Sequence, residues 1–262
     1  MNSNDHRAHE RTIADQFTRQ ARGFAANAEL HAHDVLELIV EAAALGSSGR
    51  AIDLACGPGS VACALAARAA WVVGLDTTPA MLDQARLLAK SRGLSNIEWK
   101  ESGIYAAPYA DGSFDAVTCR FAFHHLKDPA RAFAEMLRLA APAGRIVLCD
   151  GLAPDDPKTA LAFNAMERRR DPSTVEFRTL DYMRRLFVDM RLGEPAVRTF
   201  QLSYLATDLV RGSFPQDNDR TGLLALIEGS IDGDTLGMRA RITSDGVSVA
   251  YRSAVLSAAK TR

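Results

Sequence analysis

Two short stretches hold most of the residues able to do chemistry. The first, IDLACGPGSVACAL over 52–65, joins an acid, a thiol and a Gly-Pro-Gly turn. The second, CRFAFHHLKD over 119–128, places a cation and two adjacent imidazoles behind a hydrophobic run. A glycine-rich turn lets backbone approach a ligand closely. Gly57, Gly59 and Ala62 fit the G-x-G-x-x-G/A spacing, and Asp76 follows about 20 residues on. Taken alone this is a dinucleotide fingerprint, and an NAD(P)-dependent oxidoreductase is one reading of it. Three details pull elsewhere. Asp53 lies inside the run before the turn, Pro58 stiffens the turn itself, and a further block, SGIYAAPYADGSFD, stands at 102–115. Nor does a catalytic Tyr/Lys or His pair occur at convincing spacing in a second region.

The elements that must hold these residues alternate. RAIDLAC predicts a buried strand, SVACALAARA a helix, AWVVGLD a second strand, and AMLDQARLLAKSR a helix with Thr78 as cap and Pro79 in its first turn. NIEWK, FDAVTCR and RIVLCD predict three more strands, with a helix capped by Asp128 between the last two. Strands alternating with helices predict a parallel sheet covered on both faces. In an open sheet of this kind the ligand crevice lies beyond the carboxyl ends of the strands. That is where Asp53, Asp76, Arg120, His124 and His125 fall. Before this core, Ile13, Phe17, Ala21 and Phe24 recur at helical spacing within a segment read as helix over 9–45. After it come helices over 156–170 and 179–190, a strand AVRTFQLSYL, helical material near 205–240 and a closing strand-like run from 247. The polar stretch SFPQDNDRTG, 213–222, predicts a mobile loop.

The blocks DLACGPG, GLDTTPAMLDQAR and PYADGSFDAVTCRFAFHHLKDPARAFAEMLRLAAPAGRIVLCD, with the looser ERRRDPSTV, resemble the class I S-adenosylmethionine (SAM)-dependent methyltransferases. The resemblance is to the branch of the ubiquinone/menaquinone-biosynthesis C-methyltransferases. It implies an α/β fold: a Rossmann-like, seven-stranded, mostly parallel sheet. The expected divisions are an N-terminal helical lid over 1–48, a SAM-binding core over 49–151, and completion of the sheet with a helical cap over 152–262.

SAM is a nucleoside joined to methionine, without phosphate, so the turn serves backbone approach rather than anion binding. The resemblance implies a cofactor site of Asp53, Ala55, Cys56, Gly57, Gly59, Asp76, Thr77, Met81, Ser102, Gly103, Ile104, Arg120 and His125. Asp53 suits the cationic end of SAM, and Asp76 can offer one oxygen to each ribose hydroxyl. Arg120 can pair with the methionine carboxylate. The chain departs from the family after the third strand. Ser102, Gly103 and Ile104 stand where relatives carry an acid for the adenine amino group, leaving the backbone of Gly103 and Ile104 to hold the base. His125 and His124 are the candidates for acid–base chemistry. Phe17, Phe24 and Phe123 are the candidates for the acceptor pocket. Thr174 replaces the histidine of a similar RDPSH motif.

The expected reaction is methyl transfer to a small organic acceptor, with S-adenosylhomocysteine as product. A SAM-binding protein without transferase activity is the alternative. The 262 residues carry a formal net charge of -1, which gives no case for a nucleic-acid partner. No run of about 18 apolar residues suggests a membrane span. Four cysteines without CxxC pairing suit a cytoplasmic setting, with each thiol a small buried side chain rather than a metal ligand. A monomer or a homodimer is expected.

Overall fold

The computed structural model describes residues 3–26 and 33–261. The helices are α1 (Ser3–Ala26), α2 (His33–Ala43), α3 (Ser60–Ala66), α4 (Pro79–Ser91), α5 (Pro129–Leu139), α6 (Pro157–Arg170), α7 (Leu180–Asp189), α8 (Ala206–Arg211) and α9 (Arg220–Glu228). The strands are β1 (Arg50–Leu54), β2 (Trp71–Asp76), β3 (Ile97–Glu101), β4 (Phe114–Arg120), β5 (Ala140–Gly151), β6 (Ala196–Leu205), β7 (Arg241–Thr243) and β8 (Gly246–Ala259). The helix expected across 27–32 lies outside the described residues.

One sheet runs in the order β3-β2-β1-β4-β5-β8-β6, with β7 attached to β8. Pairing is parallel from β3 to β5 and antiparallel across β5–β8 and β8–β6. The seven strands in that order are the expected sheet, and the three-residue β7 is an addition to it. The order in which the chain lays down its parallel strands reverses at β1, with β2 on one side of it and β4 on the other. The carboxyl ends of these strands therefore open a crevice there.

The central strands are apolar on both faces because helices cover both. On one face Phe133 and Met136 of α5 and Phe187 of α7 pack over Ile52, Leu54, Val117 and Ile146. On the other, Leu36, Ile39 and Val40 of α2 and Val61 and Leu65 of α3 pack over Ala51, Val72 and Val147. A third cluster, with Phe163, Met166, Phe177, Leu223, Ile227 and Val249, lies under α6, α8 and α9. It belongs to a cap built beyond the sheet. The helical material expected near 205–240 resolves into two short helices, α8 and α9; the loop expected over 213–222 separates them, and its last three residues begin α9.

The β6–β8 ribbon joins cap to sheet. Ser253 to Ala259 of β8 pair with β5, whereas Ser248 to Arg252 pair with β6 after β5 has ended. The ribbon thus overhangs the crevice side of the sheet.

Candidate active site

Two sharp departures of backbone open the crevice. Ala55, directly after β1, and Phe121, directly after β4, have φ of 53° and 52°. β1 and β4 are neighbours, so both chains turn at the same edge. A non-glycine residue in the left-handed region costs about 1–2 kcal/mol, and such strain gathers at functional sites. The turn after β1 continues through Gly57 (φ 52°) and Gly59 (φ 83°) into α3. The two glycines serve different ends. A Cβ on Gly59 would meet the Trp99 ring at 2.7 Å and the Ala85 Cβ at 2.8 Å, whereas one on Gly57 would meet nothing within 4 Å. Gly59 lets the turn pack onto α4 and β3. Gly57 keeps space open toward the crevice.

Asp76, at the end of β2, holds this turn. Its Oδ2 accepts the Gly57 N–H at 2.9 Å and its Oδ1 accepts the Thr78 N–H at 2.8 Å. Thr78 heads α4 as expected, but its side chain makes no cap hydrogen bond. The carboxylate of Asp76 instead holds the N–H of Thr78 itself, and the Thr78 carbonyl accepts the Met81 and Leu82 N–H groups. Each Asp76 oxygen keeps a second lone pair for a ligand. Asp53 is buried, and its Oδ1 accepts the Thr118 hydroxyl at 2.7 Å. Burial raises its carboxyl to about 7, against the Thr118 hydrogen bond and the charge of Arg120. Arg120 lies with its guanidinium 4.6 Å from the Phe121 ring centre.

These residues line one cavity, along with Ala55, Cys56, Gly57, Thr77, Met81, Ser102, Gly103, Ile104 and His125. Gly59 lies beneath the wall and is not part of it. Phe17 and Phe24 of α1 roof the cavity, their rings 5.8 Å apart and edge to face. The donor set fits SAM. A buried carboxyl near neutrality suits a cationic ligand, Asp76 has acceptor capacity to spare, and a Cβ at Gly103 would meet only Thr77 Cγ2, at 3.9 Å.

A second cavity of about 880 Å³ lies on the cap side. Phe177, Leu202, Tyr204, Tyr251 and Ser253 line it, most of them from the overhanging ribbon, with Phe214 and Arg211 from the cap. Phe17, Phe24, Phe121 and His125 border both cavities. Phe123 does not take part. It is fully buried in the core between sheet and α5, since the 3-10 turn Phe123–His125 directs it inward.

The two histidines of that turn differ. His124 Nδ1 stands 2.6 Å from Asp150 Oδ1, and its backbone N–H donates to Oδ2 at 3.0 Å. Its ring stacks on Phe177 at 4.1 Å and lines the second cavity only. His125 Nδ1 stands 3.1 Å from the Ser173 hydroxyl, which itself donates to Asp171 Oδ1 at 2.5 Å. Gln20 of α1 donates to Asp171 Oδ2 at 3.2 Å, and His9 donates to the His125 carbonyl at 2.7 Å. Asp150, Asp171, Ser173 and Gln20 are not among the site residues expected from sequence. The RDPS stretch is the sequence signal for Asp171 and Ser173, and the hydrophilic Gln20 within the apolar stripe of α1 is the signal for its contact with Asp171. Thr174 is buried behind them.

Residues 52–148 match the family model described as a methyltransferase domain. The uncharacterized methyltransferase YcgJ of Bacillus subtilis is 29% identical over 205 residues, covering 75% of this chain and 81% of that protein. The crystal structure of YcgJ superposes with a TM-score of 0.77 at 25% identity, over 88% of this chain and 99% of that one. A demethylmenaquinone methyltransferase of Thermus thermophilus is 43% identical over 113 residues, covering 42% of this chain and 50% of that protein. A geranyl diphosphate methyltransferase solved in complex with SAM shares the fold, with a TM-score of 0.59 at 15% identity over 87% of this chain and 85% of that one. The sheet order, the strained turns at the crevice and these matches agree: the chain has the Rossmann-like fold of the class I methyltransferases, and its residues 52–148 are similar to their methyltransferase domain.

Proposed function

We propose that the chain binds SAM in the first cavity and transfers its methyl group to a small organic acceptor seated in the second. The observation that carries this reading is the shared wall of Phe17, Phe24, Phe121 and His125, which brings the two cavities together at one junction. SAM supplies a methyl carbon already activated by a sulfonium. The protein's task is then to align a nucleophile about 3 Å from that carbon and to exclude water.

Asp76 holds the ribose hydroxyls with its spare lone pairs. Asp53 and Arg120 face the charged methionine end, and Ser102, Gly103 and Ile104 flank the adenine. Phe17 and Phe24 keep water from the junction. The wall of the second cavity combines the rings of Phe177, Phe214 and Tyr251 with charged side chains, among them Arg19, Arg170, Arg211 and Asp171, so an acceptor there meets apolar surface and polar groups together.

Calorimetry with SAM, S-adenosylhomocysteine and NADH tests the cofactor, and labelled SAM with a broad panel of small acceptors tests the transfer. SAM and its product bind and NADH does not, and label passes to an acceptor. NADH binding without SAM binding overturns the reading, and tight SAM binding with no transfer across the panel marks a SAM-binding protein that does not methylate.

A further inference from the structure

His125 stands at the junction of the cavities, and its hydrogen bonds decide which ring nitrogen carries the proton. Asp171 Oδ1 accepts both the Ser173 backbone N–H, at 2.9 Å, and the Ser173 hydroxyl, at 2.5 Å. Asp171 is held below the usual carboxylate range: burial opposes this, but the Arg170 charge and the Ser173 hydrogen bonds favour the ionised form. An ionised carboxylate can only accept, so the single hydroxyl proton of Ser173 is committed to Asp171. Toward His125, 3.1 Å away, the Ser173 oxygen then has only lone pairs to offer. The proton must sit on Nδ1, which leaves Nε2 a bare lone pair. Among the described residues no protein donor meets it.

We infer that His125 Nε2 is the proton acceptor for the incoming nucleophile, and that the acceptor is a neutral small molecule bearing a hydroxyl or N–H rather than a preformed anion such as a carboxylate. This rests on the methyl-transfer reading above. A lone pair with the Asp171 charge behind it repels an anion and receives a donor, and the three arginines that also line the cavity, Arg19, Arg170 and Arg211, are each paired with a carboxylate of the chain, Asp15, Glu167 and Asp208. The Ser253 hydroxyl, buried in the wall of the same cavity and without a partner among the described residues, adds a second polar group for such a molecule.

As the acceptor atom bonds to the methyl carbon, the carbon–sulfur bond breaks and its electron pair stays on sulfur. The O–H or N–H proton passes to Nε2. The resulting imidazolium keeps its Nδ1–H on Ser173, with Asp171 as counter-charge, and releases the Nε2 proton to water once the product leaves. Burial, with His124 acting in the same direction, holds the ring below the ordinary histidine value, while Asp171, the Ser173 backbone carbonyl as an acceptor, and Asp150 pull upward. So weak a base takes the proton only after the attacking atom has become strongly acidic, late in the displacement. Ser173 and Asp171 are positioning residues.

The test is nitrogen NMR of the full chain labelled with 15N-histidine, with His125→Gln to assign the ring. His125 appears neutral at pH 7 and protonated at Nδ1. Ser173→Ala moves a substantial fraction to the Nε2–H form and Ser173→Thr restores the original spectrum; Asp171→Asn replaces Ser173→Ala if that variant does not fold. An Nε2–H ring in the wild type, or a spectrum unmoved by these variants, overturns the inference. With S-adenosylhomocysteine present, added phenol shifts the Nε2 resonance and added benzoate does not. No shift with phenol, or a shift with benzoate alone, overturns the acceptor class. Failure of SAM to bind in calorimetry, with the ring as described, removes the methyl-transfer reading and not the tautomer.

Discussion

The Asp76 carboxylate and the Gly57 amide are tied at 2.9 Å, fastening the end of β2 to the turn that follows β1. The same carboxylate holds the Thr78 N–H at the head of α4. Asp76 therefore shapes the turn before any ligand arrives. Asp76→Ala leaves two backbone donors unpaired and removes the ribose acceptor together. It weakens SAM binding by about 1–3 kcal/mol and also lowers the melting temperature. Calorimetry and thermal melts without ligand separate the two losses, and an unchanged melting temperature contradicts the bracing role.

Asp53 gives a pH signature. Its folded value of about 7 lies above the ordinary 3.8, so the folded chain holds an extra proton between them. The group's contribution to stability is full below about 3.8 and is lost as pH rises through about 7. A cationic ligand favours the ionised form, so SAM affinity of the wild type rises from pH 6 to pH 8 relative to Asp53→Asn, by at most about tenfold per unit. Comparing the two proteins cancels the titration of SAM itself. Parallel pH profiles contradict the assignment.

The two glycines of the turn separate stability from binding. Gly59→Ala drives a Cβ against Trp99 and Ala85 in a left-handed backbone, and it destabilises the fold by about 2–4 kcal/mol. Gly57→Ala meets no atom within 4 Å, so it costs only the backbone term of about 1–2 kcal/mol while placing a methyl at the cavity wall. Urea unfolding ranks the first variant as the less stable, and calorimetry shows that the second still loses SAM affinity.

Ser253 is 1% exposed, and its hydroxyl is unpaired among the described residues. Ser253→Ala removes that burden and raises stability by about 1 kcal/mol in urea unfolding. Binding of hydroxyl-bearing acceptors weakens at the same time. A destabilised variant shows that the hydroxyl has a structural partner.

Much of the sheet was legible because its strands are compact hydrophobic runs. FDAVTCR and AVRTFQLSYL match β4 and β6 residue for residue. β5 starts earlier than the expected RIVLCD, since Ala140 already pairs with Phe114 through a break in register that local sequence does not announce. The lining of the first cavity was legible for the same reason as the sheet: its residues sit at strand ends and in one turn. That of the second was not. Asp171 meets Gln20 across 151 positions, and Asp150 meets His124 across 26, so the partnerships depend on topology rather than on spacing. Phe123 was misplaced because adjacent positions in a 3-10 turn point different ways. His125 faces the cavities while Phe123 faces the core.

α1 contributes Phe17 and Phe24 to both cavities, and its Gln20 and His9 fasten to Asp171 and the His125 carbonyl. A movement of this helix that admits one ligand unroofs the other as well. Each occupant therefore helps to retain its neighbour, and the two binding equilibria are thermodynamically linked through a single element.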